Sequence, residues 1–276
     1  MRVLSSAALP SVARRALSTA SIGWSSSITF ATLGTAVTTL VLVPGLNVLF
    51  TVLLGADLAA NDTVRIGCAT ALIATLSSVA AGIVARVATD RWIGVFEYVC
   101  TARPVDAGYW LGAAAVPALL ASVTGLSNVG IVWLLSLTAP STGAASGLLI
   151  GAIALMPVAV LGGVCLGIFA AGLGLYLSDP YTGSNFLSII LPVSAGVIVP
   201  VSTYPAWLAW LCPWVPGSRL VQVLDASSGI ANGTAPELFA LLAADTALAV
   251  LYAAIGLGLT VLAARRIRAG ARASLL

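Results

Sequence analysis

Long apolar runs alternate with short polar loops along this chain, and that pattern predicts an all-α polytopic membrane protein with six transmembrane helices. A helix rises about 1.5 Å per residue, so roughly 20 apolar residues cross a hydrocarbon core of about 30 Å. Six segments meet that length: 28–54, 66–84, 109–137, 147–177, 186–204 and 238–264. Ahead of the first, residues 5–24 put Val12, Ala13, Ala16, Leu17 and Ala20 on one helical face, with Ser11, Arg14, Arg15 and Ser18 on the other. That is the pattern of a short helix lying in the membrane interface.

Two connecting segments depart from ordinary loops. In residues 91–100, Trp92, Val95, Phe96 and Val99 recur at i, i+3, i+4, i+7 spacing, which predicts an amphipathic helix with Asp90 as its N-cap. Ala102-Arg103-Pro104 ends it, because the residue before proline avoids helix. Residues 199–216 read VPVSTYPAWLAWLCPWVP, too broken by proline for a straight span and too apolar for an exposed loop. Two readings stay open for them: a segment that enters the outer leaflet and returns, or an aromatic belt anchor at the interface. The expected organisation is an interfacial N-terminal helix (1–27), a six-helix membrane domain (28–264) with a charged loop at 86–108 and an outer loop at 199–236, and a basic tail (265–276).

Composition supports the class and narrows the chemistry. The chain is 60% hydrophobic and only 8% charged, with a mean hydropathy of +1.09, more apolar surface than a soluble core needs. Its basic residues are all arginine, and it contains no histidine. A P-loop lysine, a His-ligated metal or haem and a Ser-His-Asp triad are therefore excluded. Cys68, Cys100, Cys165 and Cys212 form no CxxC pair and read as small apolar residues. The absence of lysine beside abundant Ala, Gly and Val suggests a GC-rich bacterial genome.

Arginine orients the spans. With the N-terminus cytoplasmic, that side holds Arg2, Arg14, Arg15, Arg86, Arg91, Arg103, Arg265, Arg266, Arg268 and Arg272, and the opposite side only Arg65 and Arg219. The bias places both termini in the cytoplasm of a bacterial plasma membrane. Arg14-Arg15 fits a twin-arginine export signal poorly, since the apolar run that follows is too long for one. The net charge of +3 follows topology and gives no nucleic-acid patch.

The predicted spans are nearly free of charge. Asp245 is their one acidic candidate, and Asn47 and Asn128 are the notable polar residues. Ion-coupled transporters place ionisable groups within their spans, so any active transport here needs energy from another subunit. Charge concentrates instead in the loop after the second run, at Arg86, Asp90, Arg91, Glu97, Arg103 and Asp106. A short helix with a charged rim suits docking into a partner's groove; the plainer reading is a solvated turn whose arginines fix topology.

Asp90-Arg91-x-x-Gly94-x-x-Glu97, with Thr101-Ala102-Arg103-Pro104-Val105 and Gly108–Gly112, resembles the segment after the second span of type 2 ABC-transporter permeases, with Val95-Phe96 where Thr-Leu is usual. A second match, Gly196-x-x-x-Pro200 through Pro205-x-Trp207-Leu208 to Pro213 or Pro216, resembles the signature that covers the end of their fifth span and an outer re-entrant segment, though no Asn precedes the last proline. The Glu-Ala-Ala loop of importer permeases does not fit Glu97-Tyr98-Val99. The resemblance implies a membrane subunit of an ATP-driven bacterial drug or antibiotic exporter. Asp90, Arg91, Gly94, Glu97, Arg103 and Pro104 would form its coupling element, and Gly196, Pro200, Pro205, Trp207 and Pro213 its outer re-entrant segment. It further implies an ABC-type ATPase subunit that binds ATP and Mg, a second permease subunit (the same or a homologous chain), membrane lipid around both, no cofactor in this chain and no enzymatic activity of its own. One alternative is a membrane-anchored assembly or sensor subunit that docks a partner without transport. Another is an intramembrane enzyme, whose best lone acid, Asp179 in Ser178-Asp179-Pro180-Tyr181, reads more simply as a turn or helix-cap residue.

Overall fold

The computed structural model describes residues 11–27, 29, 31–57, 63–102, 107–137, 145–227 and 234–270, and every regular element among them is helical. This is what lipid demands, because a helix satisfies its own backbone hydrogen bonds. In chain order the elements are α1 (Ser11–Ser25), α2 (Leu33–Val37), a π-helical turn (Thr38–Leu42), α3 (Val43–Asp57), α4 (Thr63–Trp92), α5 (Val95–Ala102), α6 (Ala107–Ser136), α7 (Ala145–Gly174) and α8 (Thr182–Ser194). A 3₁₀ turn (Val201–Thr203), α9 (Ala206–Leu211), a second 3₁₀ turn (Cys212–Trp214), α10 (Ser218–Ser227) and α11 (Ala235–Arg268) complete the chain. Five helices are long and apolar enough to cross a membrane: Leu33–Asp57, Thr63–Trp92, Ala107–Ser136, Ala145–Gly174 and Ala235–Arg268. They are the mark of a multi-pass membrane protein.

Local sequence explains several boundaries. Thr32 and Thr35 form a reciprocal cap at the start of α2, with Thr35 N–H donating to Thr32 Oγ1 at 3.1 Å and Thr32 N–H to Thr35 Oγ1 at 3.0 Å. Thr234 N–H donates to Glu237 Oε2 at 2.9 Å in the equivalent box at α11. Pro44 has no N–H to donate, and the π turn over Thr38–Leu42 ends two positions before it.

The predicted run 186–204 is not one continuous helix. α8 stops at Ser194, Gly196 takes a left-handed φ of +66°, and Pro200 and Pro205 each start a new short helical piece. Thirteen residues of α8 rise about 20 Å, short of a full hydrocarbon core. Residues 218–227, part of the expected outer loop, are also helical, because Leu220, Val221, Val223 and Leu224 form one buried face of α10.

α4 is the axis of the bundle. It packs against α3, α6, α7 and α8, while α11 lies on α7 and α1 on α6. The face that α1 turns inward holds Ala13, Ala16, Thr19, Ala20 and Gly23, whereas Val12 and Leu17 of the expected apolar face are exposed. Contact with α6 decides this: Gly112 lets the α1 backbone approach at Ala16 and Thr19.

Because lipid tails are as apolar as leucine, close backbone approach holds membrane helices together. α7 meets α4 through Gly163 and Gly167, where an added Cβ would lie 2.5 Å from Leu76 O and 3.0 Å from Ala80 Cα. α7 and α11 meet at Gly172 and Gly256, where a Cβ would lie 2.5 Å from Gly256 O and 2.5 Å from Phe169 Cα, respectively. Gly172→Ala and Gly256→Ala are each expected to cost about 1–3 kcal/mol by overpacking, read as a lowered midpoint in a detergent thermal melt. Gly258→Ala is the control whose midpoint does not fall, since nothing stands within 4 Å of its Cβ position and alanine suits a helix interior better than glycine.

Candidate functional site

At the end of the bundle that carries Arg91, the chain leaves α4 and turns into α5. α4 continues helically to Trp92, and Gly94, at φ +79°, makes the turn. The predicted helix 91–100 is thus two elements, and Asp90 is not its N-cap. Asp90 is buried in the last turns of α4, with Oδ1 3.3 Å from Arg86 Nη2 and Oδ2 accepting the Tyr109 hydroxyl at 3.0 Å. Burial without a partner would be costly for a carboxylate, and these two contacts offset it. Arg91 reaches across to the end of α7, where Nη1 donates to Gly174 O at 2.7 Å and Leu177 O at 2.8 Å. A cation on the open carbonyls of a helix C-terminus is favourable both as a hydrogen bond and by the helix dipole.

α5 lies on the bundle through Phe96 and Cys100, both fully buried and one helical turn apart. Phe96 meets the Tyr109 ring edge-on, with centroids 6.4 Å apart. Arg268, at the end of α11, donates from Nε to Cys100 O at 2.8 Å. The predicted apolar face therefore splits: Phe96 and the half-buried Val99 pack inward, and Trp92 and Val95 face out. Trp92, Ile93, Val95 and Tyr98 are 65%, 71%, 42% and 75% exposed, an apolar patch of four neighbouring side chains, and Trp92 also packs edge-on against Tyr181 at 5.4 Å. Glu97 is half-buried. Arg103 and Pro104 lie outside the described residues. Asp179 sits in the turn before α8, where Oδ1 accepts the Tyr181 N–H at 2.9 Å.

The opposite end of the bundle is tied together by charges. Arg65 at the start of α4 grips Asp225 of α10 with two donors, Nε to Oδ1 and Nη2 to Oδ2, both at 2.8 Å. It also donates to Val197 O at 3.3 Å and Gly196 O at 3.4 Å, so Gly196 both turns the chain and offers a carbonyl to this clamp. Asp245 of α11 is buried and accepts the Gly217 N–H on both oxygens, at 3.1 and 2.9 Å. Its carboxylate thus stands at the N-terminus of α10, a favourable place for an anion. Pro200 and Pro205 are the N-caps of the first 3₁₀ turn and of α9, and Pro213 lies inside the second 3₁₀ turn. Trp207, Trp210 and Trp214 are 66%, 67% and 57% exposed.

Between these ends, α3, α4, α8 and the segment after α8 enclose a groove of about 480 Å³. Among its lining residues Asn47, Thr51, Ser77, Ser78, Ser188 and Tyr204 offer polar groups, and none of the described lining residues is charged. Asn47 is exposed near the middle of the Leu33–Asp57 rod, while Asn128 is buried in α6. Such a surface suits a neutral or weakly polar amphiphile with hydrogen-bonding groups.

Comparison with protein-family models and with curated proteins finds no match for this chain.

The fold unites Asp90, Arg91, Gly94 and Glu97 around α5 and places Gly196, Pro200, Pro205, Trp207 and Pro213 along the segment between α8 and α10. Sequence reasoning missed the Arg65–Asp225 clamp, the Arg268 tether and the hydroxyls of α4 and α8 that face the groove. Asn47 and the serine pair Ser77-Ser78, polar positions in long apolar runs, were the available signals for the groove. Neither long-range contact had one, since the residues of the clamp are 160 positions apart and those of the tether 168.

Burial pushes the Cys100 thiol up to about 11, although the nearby Arg268 cation opposes the shift. The thiolate is the reactive form, so at pH 8 only about one Cys100 in a thousand is reactive. Iodoacetamide at pH 8, followed by peptide mapping, is expected to leave Cys100 unmodified in the folded protein and to alkylate it after denaturation.

Proposed function

We propose that this chain is the membrane permease subunit of an ATP-driven exporter, of the type 2 ABC class its motifs resemble. It moves a hydrophobic or amphipathic small molecule, antibiotic or lipid-like substrate out across the bacterial plasma membrane. In this reading the Arg91 end is cytoplasmic and α5 is the coupling helix. α8 with the bent segment behind it forms the fifth crossing and its outer re-entrant turn. A separate ATPase subunit holds ATP and Mg, and two permease subunits pair around the substrate path.

The observation that carries this reading is how α5 is mounted. Val95 and Tyr98 of α5, with Trp92 at the end of α4 and Ile93 in the turn between them, face outward as an apolar docking patch of the kind that anchors partner interfaces. Behind that patch, each long helix near it has its own link to the loop. Gly94 joins α5 to α4, and Arg268 joins it to α11. Arg91 reaches α7, and Asp90 with Phe96 reaches α6 through Tyr109. A partner that pushes on α5 moves the ends of four long helices at once, including α4, one wall of the uncharged groove. The chemistry of that groove supports a neutral amphiphile as cargo.

A membrane-anchored assembly or sensor subunit would use the same patch without moving cargo. Substrate-stimulated ATP hydrolysis by the reconstituted complex in liposomes separates the two readings, and its absence across a panel of amphiphiles would favour the second.

Trp92→Ala and Tyr98→Ala are each expected to weaken ATPase binding by about 2 kcal/mol, as interface anchors do, measured by titrating the ATPase onto the purified permease. Glu97→Ala is expected to leave membrane insertion and ATPase binding intact while ATP hydrolysis continues without export. Normal export by that variant would remove the coupling role from Glu97.

A further inference from the structure

We infer that the concave surface between the α9–α10 corner and α11 holds an anionic phospholipid, with its phosphate on Arg219 and an acyl chain laid along α11. The cavity is about 520 Å³ and is lined mainly by apolar side chains, with Arg219 as the only charged one among the described residues. Ala247, Leu248 and Leu251, with Ala244, recur at i, i+3, i+4, i+7 spacing and so form one stripe of α11. The two alanines leave the hollow, Leu248 and Leu251 wall it, and the exposed rings of Trp210 and Trp214 close the other side, with centroids 6.2 Å apart.

Arg219 lacks a full partner. Its Nη1 lies 3.9 Å from Asp245 Oδ1, beyond hydrogen-bond reach. Both Asp245 oxygens already accept the Gly217 N–H. Nη1 has no hydrogen-bond acceptor, which is costly for a buried charged donor. Nη1 itself is enclosed, so a phosphate oxygen meets the accessible part of the guanidinium, whose side chain is 20% exposed, and supplies the opposite charge there.

The depth fits a lipid rather than a soluble anion. Asp245 precedes Arg265 by 20 residues on α11, or about 30 Å, the thickness of a hydrocarbon core. With Arg265 at one membrane surface, Asp245 and Arg219 stand at the headgroup level of the other, where exposed tryptophans are favoured. Leu248 and Leu251 then lie in the acyl region. This inference does not depend on the export reading.

The test uses the full chain in phosphatidylcholine nanodiscs that carry a small fraction of either brominated phosphatidylglycerol or brominated phosphatidylcholine, with tryptophan quenching as the readout. The Trp210→Phe/Trp214→Phe double variant gives the background from the other tryptophans. The brominated anionic lipid is expected to occupy the site about fivefold more readily than the brominated zwitterionic one, the preference worth one arginine near an anionic headgroup. Arg219→Gln is expected to abolish that preference. Ala247→Trp, which fills the hollow but keeps the cation, is expected to abolish binding of both lipids when background is measured on its own double variant. Equal occupancy by the two lipids, or a preference that survives Arg219→Gln, overturns the proposal. If Arg219→Gln does not fold, anionic-lipid binding that persists in Ala247→Trp overturns it instead.

Discussion

Everything in this bundle depends on the close approach of α4 and α7. Gly163 and Gly167 let the α7 backbone come within van der Waals contact of α4 at Leu76 and Ala80. In lipid no water-driven force pulls two apolar helices together, so the contact area gained by missing side chains must do it. The ends then follow. With α4 and α7 in register, Arg91 arrives beside the open carbonyls at the end of α7. α11, fixed to α7 at Gly172 and Gly256, brings Arg268 to α5 and Asp245 to α10.

The few charged side chains of the bundle mostly hold backbone that helices alone cannot satisfy. Arg91 caps a C-terminus, Asp245 occupies an N-terminus, and Arg65 serves both a carboxylate and two carbonyls of a broken segment. In a low-dielectric setting each such contact is strong because water cannot replace it. This also explains why Asp245, the one acid that suggested ion coupling, serves the backbone instead, since both of its oxygens are occupied by the Gly217 N–H. By contrast, the described lining of the groove between α3, α4 and α8 offers hydroxyl and amide groups without charge, and the patch at α5 offers exposed aromatic and aliphatic surface. The bundle thus has a frame tied by charged side chains, and a functional reading has to account for both the groove and the α5 patch.

The amino-acid sequence alone determined the all-helical membrane class, five of the long apolar helices and the position of the charged loop, because apolar length and the sites of arginine are one-dimensional properties that a bilayer reads directly. The prolines of 200–216 likewise announced where helices would break, whereas Gly94 and Gly196 lay inside the predicted helix 91–100 and the predicted span 186–204. Tertiary structure alone decided which way the faces turn. Trp92 and Val95 look outward although their spacing matches that of Phe96, because Gly94 cuts the helix and only the Phe96–Cys100 side of α5 meets the bundle. Asp90 became a buried partner of Arg86 and Tyr109 rather than a cap, because α4 runs about two turns farther than its hydrophobic pattern. The Arg65–Asp225 and Arg268–Cys100 contacts join residues more than a hundred positions apart. No local pattern encodes such pairings, since they exist only once backbone packing has set the helices side by side.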